Sequence, residues 1–493
     1  MTQPSGIPRW VLAFVSCLIV AIPFVITRFP PVTDLPQESA QIRLLIETLQ
    51  DPAGSPYTIQ WFTPRILSYL ILGTTWALFG GINAGRTAML AIGLLWIVAI
   101  HLLAYRRNRS AASATLASLF LFNHVIYWGF YSFAIGCPVF MLWFFLTTEK
   151  ETREFSVTDA LIWIGTGLLL YASHVLWFVA GVAWLLIYSL VLRRPARVLL
   201  LRVVYVIPLI AAVVIWYPLL SHSTMATPPL WGTNPISRLS FEWLTDAVLG
   251  GMRGPWEYVF FVGVLGWLLL SIWQNRAEIS TRVDWELLLA AGMFFVFVLV
   301  LPDKYMNTIR FANRWMPITM ILLVLAMPAP SLRPMLRQGL ALVVLAAFCL
   351  AVSVAWRTFE RKELSGLQEA LSALPNSPRL LGLNMVQRSD SIKGSPFIQV
   401  FAYAQVMKGG TLNFSFAEFS PCLVVYKERF IRPWTGGLEW FPDRVKESDL
   451  NHFDYALING AERTHATAAA DKRLRPVTND GRWRLYKIVP ANE

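Results

Sequence analysis

Two carboxylates stand one helical turn apart early in the chain, Asp34 and Glu38 in FPPVTDLPQESAQIRLLI (residues 29–46). A carboxylate held near a membrane surface suits general-base work on a hydroxyl. Two of them at this spacing either share an ion or divide base and positioning roles. The plainer reading is that Asp34 caps a helix and Glu38 complements its dipole, with Pro36 in the first turn and Gln37 three residues after Asp34 as in a capping box. A second set is cationic: Lys304, Arg310 and Arg314 in PDKYMNTIRFANRW (302–315). Arginine grips phosphate bidentately and lysine offers a point charge, so the trio is read as a phosphate site, against pairing with Asp303 and lipid headgroups. His124, in NHVIYWGFYSF (123–133), and His174 both stand at ends of apolar runs. His124 is the better candidate for acid–base or hydrogen-bonding work, against the commoner packed histidine.

The elements that must position these groups are membrane spans. The chain has 493 residues, 56% hydrophobic and only 15% charged, with a mean hydropathy of +0.51. That composition excludes an ordinary soluble protein and points to a polytopic α-helical membrane protein. Eleven apolar runs come close to spanning length, near 10–27, 85–105, 110–126, 133–148, 158–173, 174–192, 199–219, 256–273, 285–301, 314–328 and 338–356. The first run has no small-residue cleavage site ahead of Phe29 and is taken as a retained span. A net charge of +12 is topological here and carries no nucleic-acid footprint, because most Lys and Arg cluster between apolar runs. The four cysteines, Cys17, Cys137, Cys349 and Cys422, imply no disulfide framework.

A twelfth apolar stretch, 62–80, contains Pro64 and Arg65 and is followed by Gly80 and Gly81. Placing it outside as a surface helix puts Arg106/Arg107/Arg109, Lys150/Arg153, Arg193/Arg194/Arg197, Arg276/Arg282 and Arg333/Arg337 all on the cytoplasmic side, with Arg9 at the inner start. The external segments are then a first loop (28–84) with surface helices, 123–133, 221–255 and 302–315. In the first loop, Leu35, Ile42, Leu45, Ile46 and Leu49 share one helical face of about 100° and form a membrane-surface stripe. The expected domains are a transmembrane domain over 1–356 and an extracytoplasmic soluble domain over 357–493. RLLGLNMV, CLVVYKERF, FDYALING and WRLYKIV read as strands of a small α/β domain.

A first span followed directly by an acid, then a long external loop with the stretch TPRILSYLILGTTWALFGGINAGR, resembles the polyprenyl-phosphate-sugar-dependent glycosyltransferases of the GT-C superfamily. These include the protein O-mannosyltransferases and the bacterial lipid A aminoarabinose transferases. The resemblance covers 1–355 in architecture and implies a glycosyltransferase that takes a sugar from a polyprenyl phosphate to an envelope glycan, lipid or protein acceptor. It maps the catalytic or metal-organising acid onto Asp34 and implies a bacterial inner membrane. Many of these enzymes carry a second acid in the second external loop, where this chain has only Asn123 and His124. A two-loop metal site is therefore not expected. Asp34 is read as acting without a tightly bound metal, with a divalent ion shared by Asp34 and Glu38 left as the open alternative and the cofactor unknown. Trp231 and Trp256 are candidates for stacking on a sugar, while Glu242 and Asp246 read as a solvated helix face. A transporter or flippase of lipid-linked glycans would need ionisable residues deep within spans, and the spans here hold few. A catalytically inactive scaffold of the same fold is the other alternative. No Walker A, HExxH or paired CxxC motif is present.

Overall fold

The computed structural model describes residues 6–149, 157–193, 228–306 and 308–490, with a few positions between 193 and 228. Lys150, Arg153, Arg194, Arg197 and Arg202, and most of the expected span 199–219, lie outside the described residues. The other ten apolar runs are helical. The protein is thus a mostly helical polytopic membrane protein. Among the described residues, six helices are long and apolar enough to cross a membrane: Arg9–Ile26, Gly81–Arg106, Ala111–Trp128, Tyr131–Thr148, Trp256–Asn275 and Pro334–Glu363. Ala160–Ser173, Val175–Val191, Trp285–Val300, Asn313–Ala326 and Ile66–Phe79 are shorter apolar helices. The last of these is the stretch whose proline, arginine and glycines argued against a span.

The chain divides into two compact units, one of residues 1–23, 90–126 and 130–352, the other of 24–89, 127–129 and 353–493. The core of the first is aromatic. Trp177 packs against Phe133, Phe140, Phe294 and Trp315 with ring centroids 5.0 to 5.7 Å apart. Its indole N–H donates to the Phe133 carbonyl at 2.7 Å, as a buried donor must. A side chain at Gly136 would overlap the Trp177 ring. The helical run Ala111–Trp128 is broken at Phe122 and Asn123, and the Asn123 side chain repairs the break. It donates to the Phe120 and Leu121 carbonyls at 2.6 and 3.1 Å and accepts from the Val125 N–H at 2.7 Å. Broken backbone at membrane depth persists only when its polar groups are satisfied in this way. At another helix end Asp284 caps Trp285–Val300 through the Leu287 N–H. The same carboxylate takes a two-pronged ion pair from Arg107 at 2.9 Å on each arm.

In the second unit a five-stranded sheet has the order β3-β2-β5-β7-β6, formed by β2 (Arg379–Asn384), β3 (Thr411–Leu412), β5 (Tyr455–Asn459), β6 (Leu474–Pro476) and β7 (Trp483–Ile488). The β2 pairings with β3 and β5 are parallel, and β7 runs antiparallel to β5 and β6. Three of the four expected strand segments build this sheet. The fourth, β4 (Val424–Tyr426), pairs instead with β1 (Tyr57–Ile59) in an antiparallel ribbon, Tyr57 opposite Tyr426 and Ile59 opposite Val424. The 28–84 loop is therefore packed with the tail. The helix Leu35–Gln50, expected as a surface helix, is buried over most of its length, from Leu35 through Ile42 and at Leu44 and Thr48. Its polar residues bond to the tail. Gln37 donates to Gln399 and the Phe414 carbonyl at 3.1 and 3.0 Å and accepts from the Phe416 N–H at 3.1 Å. A polar face that makes such bonds can be buried as readily as an apolar one.

Removing the acid of the Arg107 pair tests how firmly the first unit depends on it. Asp284→Ala uncaps a helix and leaves Arg107 to its second acid, Glu286, so it should cost about 1–2 kcal/mol, seen as a lowered unfolding temperature in detergent. A variant that melts like the wild type would show that the pair contributes nothing.

Candidate active site

The chain reaches Asp34 through Pro30 and Pro31, which bring residues 32–34 alongside the turn at 127–129. Thr33 N–H donates to the Tyr127 carbonyl at 2.9 Å and Asp34 N–H to the Trp128 carbonyl at 3.0 Å. Asp34 is the residue that precedes the helix Leu35–Gln50, with φ −89° and ψ −4°, yet its side chain makes no capping hydrogen bond. Its backbone carbonyl accepts the Glu38 N–H at 2.9 Å. The half-buried carboxylate is thus not spent on the N–H groups of its own helix, contrary to the capping alternative. Gly129 makes this approach possible. It has φ +79°, in the region that favours glycine, and a Cβ there would stand 3.0 Å from Val32 Cγ1, 3.1 Å from Asp34 N and 3.2 Å from Asp34 Cβ.

Glu38, one turn on, is only 1% exposed and forms an ion pair with Arg65. The Arg65 guanidinium also lies 3.6 Å from the Cys422 sulfur and over the Tyr69 ring at 5.8 Å. Burial by itself would lower the Arg65 pKa, but the neighbouring Glu38 carboxylate outweighs it and holds the group above its ordinary value. Burial pushes the Cys422 thiol up to about 12; Arg65 opposes this, while the Glu38 and Asp34 carboxylates add to it. Asp34, Glu38, Arg65, Tyr69 and Cys422, drawn from three distant stretches of sequence, therefore share one electrostatic environment.

In the other unit the structure gathers His124, Asp246, Arg310 and Arg314. His124 opens the short helix His124–Trp128 and is 1% exposed. Its ring lies within the fields of Arg310, Asp246 and Arg314, and neither ring nitrogen completes a well-formed hydrogen bond with the described residues. Arg310 has a left-handed backbone, φ +51°, and pairs with Asp246 at 2.9 Å. Arg314 is 5% exposed, donates to the Ile309 carbonyl at 2.9 Å and covers the Phe130 ring at 3.7 Å, a close cation–π contact. Lys304 is placed at an isolated bridge to Leu230, whose N–H donates to the Lys304 carbonyl at 2.9 Å. Asp303, the acid nearest these cations in sequence, is taken by fully buried Arg238 at 3.0 Å and by the Thr233 N–H at 2.5 Å.

Asp246 was not among the expected site residues, because a four-residue spacing from Glu242 matches a solvated helix face equally well. The signal for it was present only indirectly, as an arginine with no acid nearby in sequence. His174 is a structural cap that accepts the Leu176 N–H at 3.1 Å, and the Trp231 indole donates to the Val300 carbonyl at 3.1 Å. Among the described residues no three His, Cys, Asp or Glu side chains group to hold a metal ion.

Two measurements check this arrangement. Gly129→Ala should cost about 1–2 kcal/mol in backbone strain and lower the unfolding temperature, because its methyl group presses on Asp34; unchanged melting would show that the turn does not depend on glycine. Cys422 should resist alkylation by N-ethylmaleimide in the folded protein at pH 8, where so raised a thiol is almost wholly protonated, and react only after denaturation. Ready labelling of the folded protein, read by peptide mass mapping, would contradict the enclosed cluster.

No family model matches the chain, and no curated protein sequence matches it. Solved structures that share its fold are of ArnT from Cupriavidus metallidurans. The apo state has 15% sequence identity and a TM-score of 0.54, over 97% of this chain and 98% of that one. The form bound to undecaprenyl phosphate has 14% identity and a TM-score of 0.51, over 98% of both chains. The resemblance noted in the sequence thus holds at the level of fold, which is shared with ArnT over nearly the full length.

Proposed function

We propose that the protein is an integral-membrane glycosyltransferase that moves a sugar from a polyprenyl phosphate to a cell-envelope acceptor on the external face of the membrane. The observation that carries this reading is Asp34: in a chain with the ArnT fold, the acid just after the first span leaves its side chain out of the helix cap. Asp34 takes the proton of the acceptor hydroxyl as that oxygen attacks the anomeric carbon. The bond to the phosphate oxygen breaks in the same displacement, which inverts the anomeric centre. Arg310 and Arg314, with Lys304, stabilise the departing phosphate, and His124 supplies a hydrogen bond beside them. Binding of that phosphate draws Arg310 partly away from Asp246. Glu38 holds Asp34's helix through Arg65, and Asp34 works without a tightly bound metal.

About eleven spans place the N-terminus in the cytoplasm of a bacterial cell, and the 28–84 loop and the 357–493 tail outside, as the charge distribution favours. The tail recognises the acceptor or closes over the bound substrates. Lipid-linked sugars extracted from cells with the wild-type protein, with Asp34→Asn and with no protein test the assignment. One polyprenyl-phosphate sugar should accumulate equally in the last two, with membrane insertion of the variant verified. Wild-type levels in Asp34→Asn cells would remove Asp34 from the chemistry.

A further inference from the structure

Two buried polar atoms on one helix face, Glu38 Oε2 and Gln41 Nε2, have no hydrogen-bond partner among the described residues, in side chains that are each 1% exposed. The other half of each group is engaged. Glu38 Oε1 takes the Arg65 pair, and Gln41 Oε1 accepts the Val424 N–H at 2.8 Å. That second bond fixes the amide orientation, so the atom left over on Gln41 is a donor and the one left over on Glu38 is an acceptor. Interiors rarely leave such groups unpaired, and two complementary ones three residues apart on one helix point to a shared ligand atom.

The chemistry of the ligand follows from this pairing. Residues three apart on a helix have Cβ atoms about 5–6 Å apart, so the ends of their side chains can reach one oxygen with bonds of about 2.8 Å each. The oxygen must donate to a carboxylate and accept from an amide at once. An ammonium group cannot accept, and an ionised phosphate or carboxylate cannot donate and is repelled by Glu38; a hydroxyl does both.

We propose that Glu38 and Gln41 clamp a single hydroxyl oxygen one turn from Asp34. Its source is either an ordered water or a hydroxyl of the sugar being transferred; the second source rests on the glycosyl-transfer reading, the clamp itself does not. Cryo-electron microscopy of the full chain in lipid nanodiscs tests this under three conditions: no addition, undecaprenyl phosphate, and a total extract of polyprenyl-phosphate sugars. The expected result is density about 2.6–3.2 Å from both Glu38 Oε2 and Gln41 Nε2. An isolated peak in all three maps identifies water, and its replacement by sugar density in the third alone identifies the substrate hydroxyl. Absence of density in every map, or rotation of either side chain onto a protein partner, overturns the clamp. An isolated peak together with no sugar transfer by the wild-type protein would instead overturn the glycosyl-transfer reading and leave the clamp standing.

Discussion

A carboxylate buried to 1% exposure cannot remain ionised without a partner, and the rest of the Asp34 region depends on how Glu38 meets that constraint. Its ion pair with Arg65 ties the helix Leu35–Gln50 to the segment that opens Ile66–Phe79. Through Arg65 the same pair reaches Cys422 in the tail. Gln37 and Gln41 then attach the helix to tail backbone on either side. A helix held by charge and by directed hydrogen bonds has little freedom to rotate, so the residue at its start is held too. Buried ion pairs of this kind contribute more to specifying an arrangement than to net stability.

The two carboxylates of this helix have the same chemistry and different surroundings. Glu38 is enclosed and paired, whereas Asp34 is half-buried at a turn that only a glycine at 129 allows to come so close. The cations of the other unit differ in the same manner. Arg238 is fully buried and matched to Asp303, while Arg310 and Arg314 keep company with a histidine and an aromatic ring.

The spans were legible because apolar length is a one-dimensional property, and ten of the eleven runs lie on described helices. The strands at 379–384, 455–459 and 483–488 were legible for the similar reason that short β-branched and aromatic runs bounded by turn residues have few other uses. What the sequence could not reveal was pairing across distance. Val424–Tyr426 has a strand's composition, but nothing in it selects Tyr57–Ile59 over the main sheet as a partner. Likewise the stripe of Leu35, Ile42 and Leu45 is the same whether its opposite face meets water or the tail, and only Gln37 and Gln41, bonded to chain nearly 400 residues away, decide it. The Asp246 to Arg310 pair, 64 residues apart, escaped for the same reason.

We propose that Asp34 does the chemistry and Glu38 holds it in place. Asp34→Asn and Glu38→Gln, compared with the wild type in one preparation for sugar transfer from extracted polyprenyl-phosphate sugars and for unfolding temperature, test it most directly. The predicted result is that Asp34→Asn loses transfer while still folding, and that Glu38→Gln melts earlier and retains measurable transfer. Loss of transfer by Glu38→Gln at unchanged stability, with Asp34→Asn transferring normally, would contradict it.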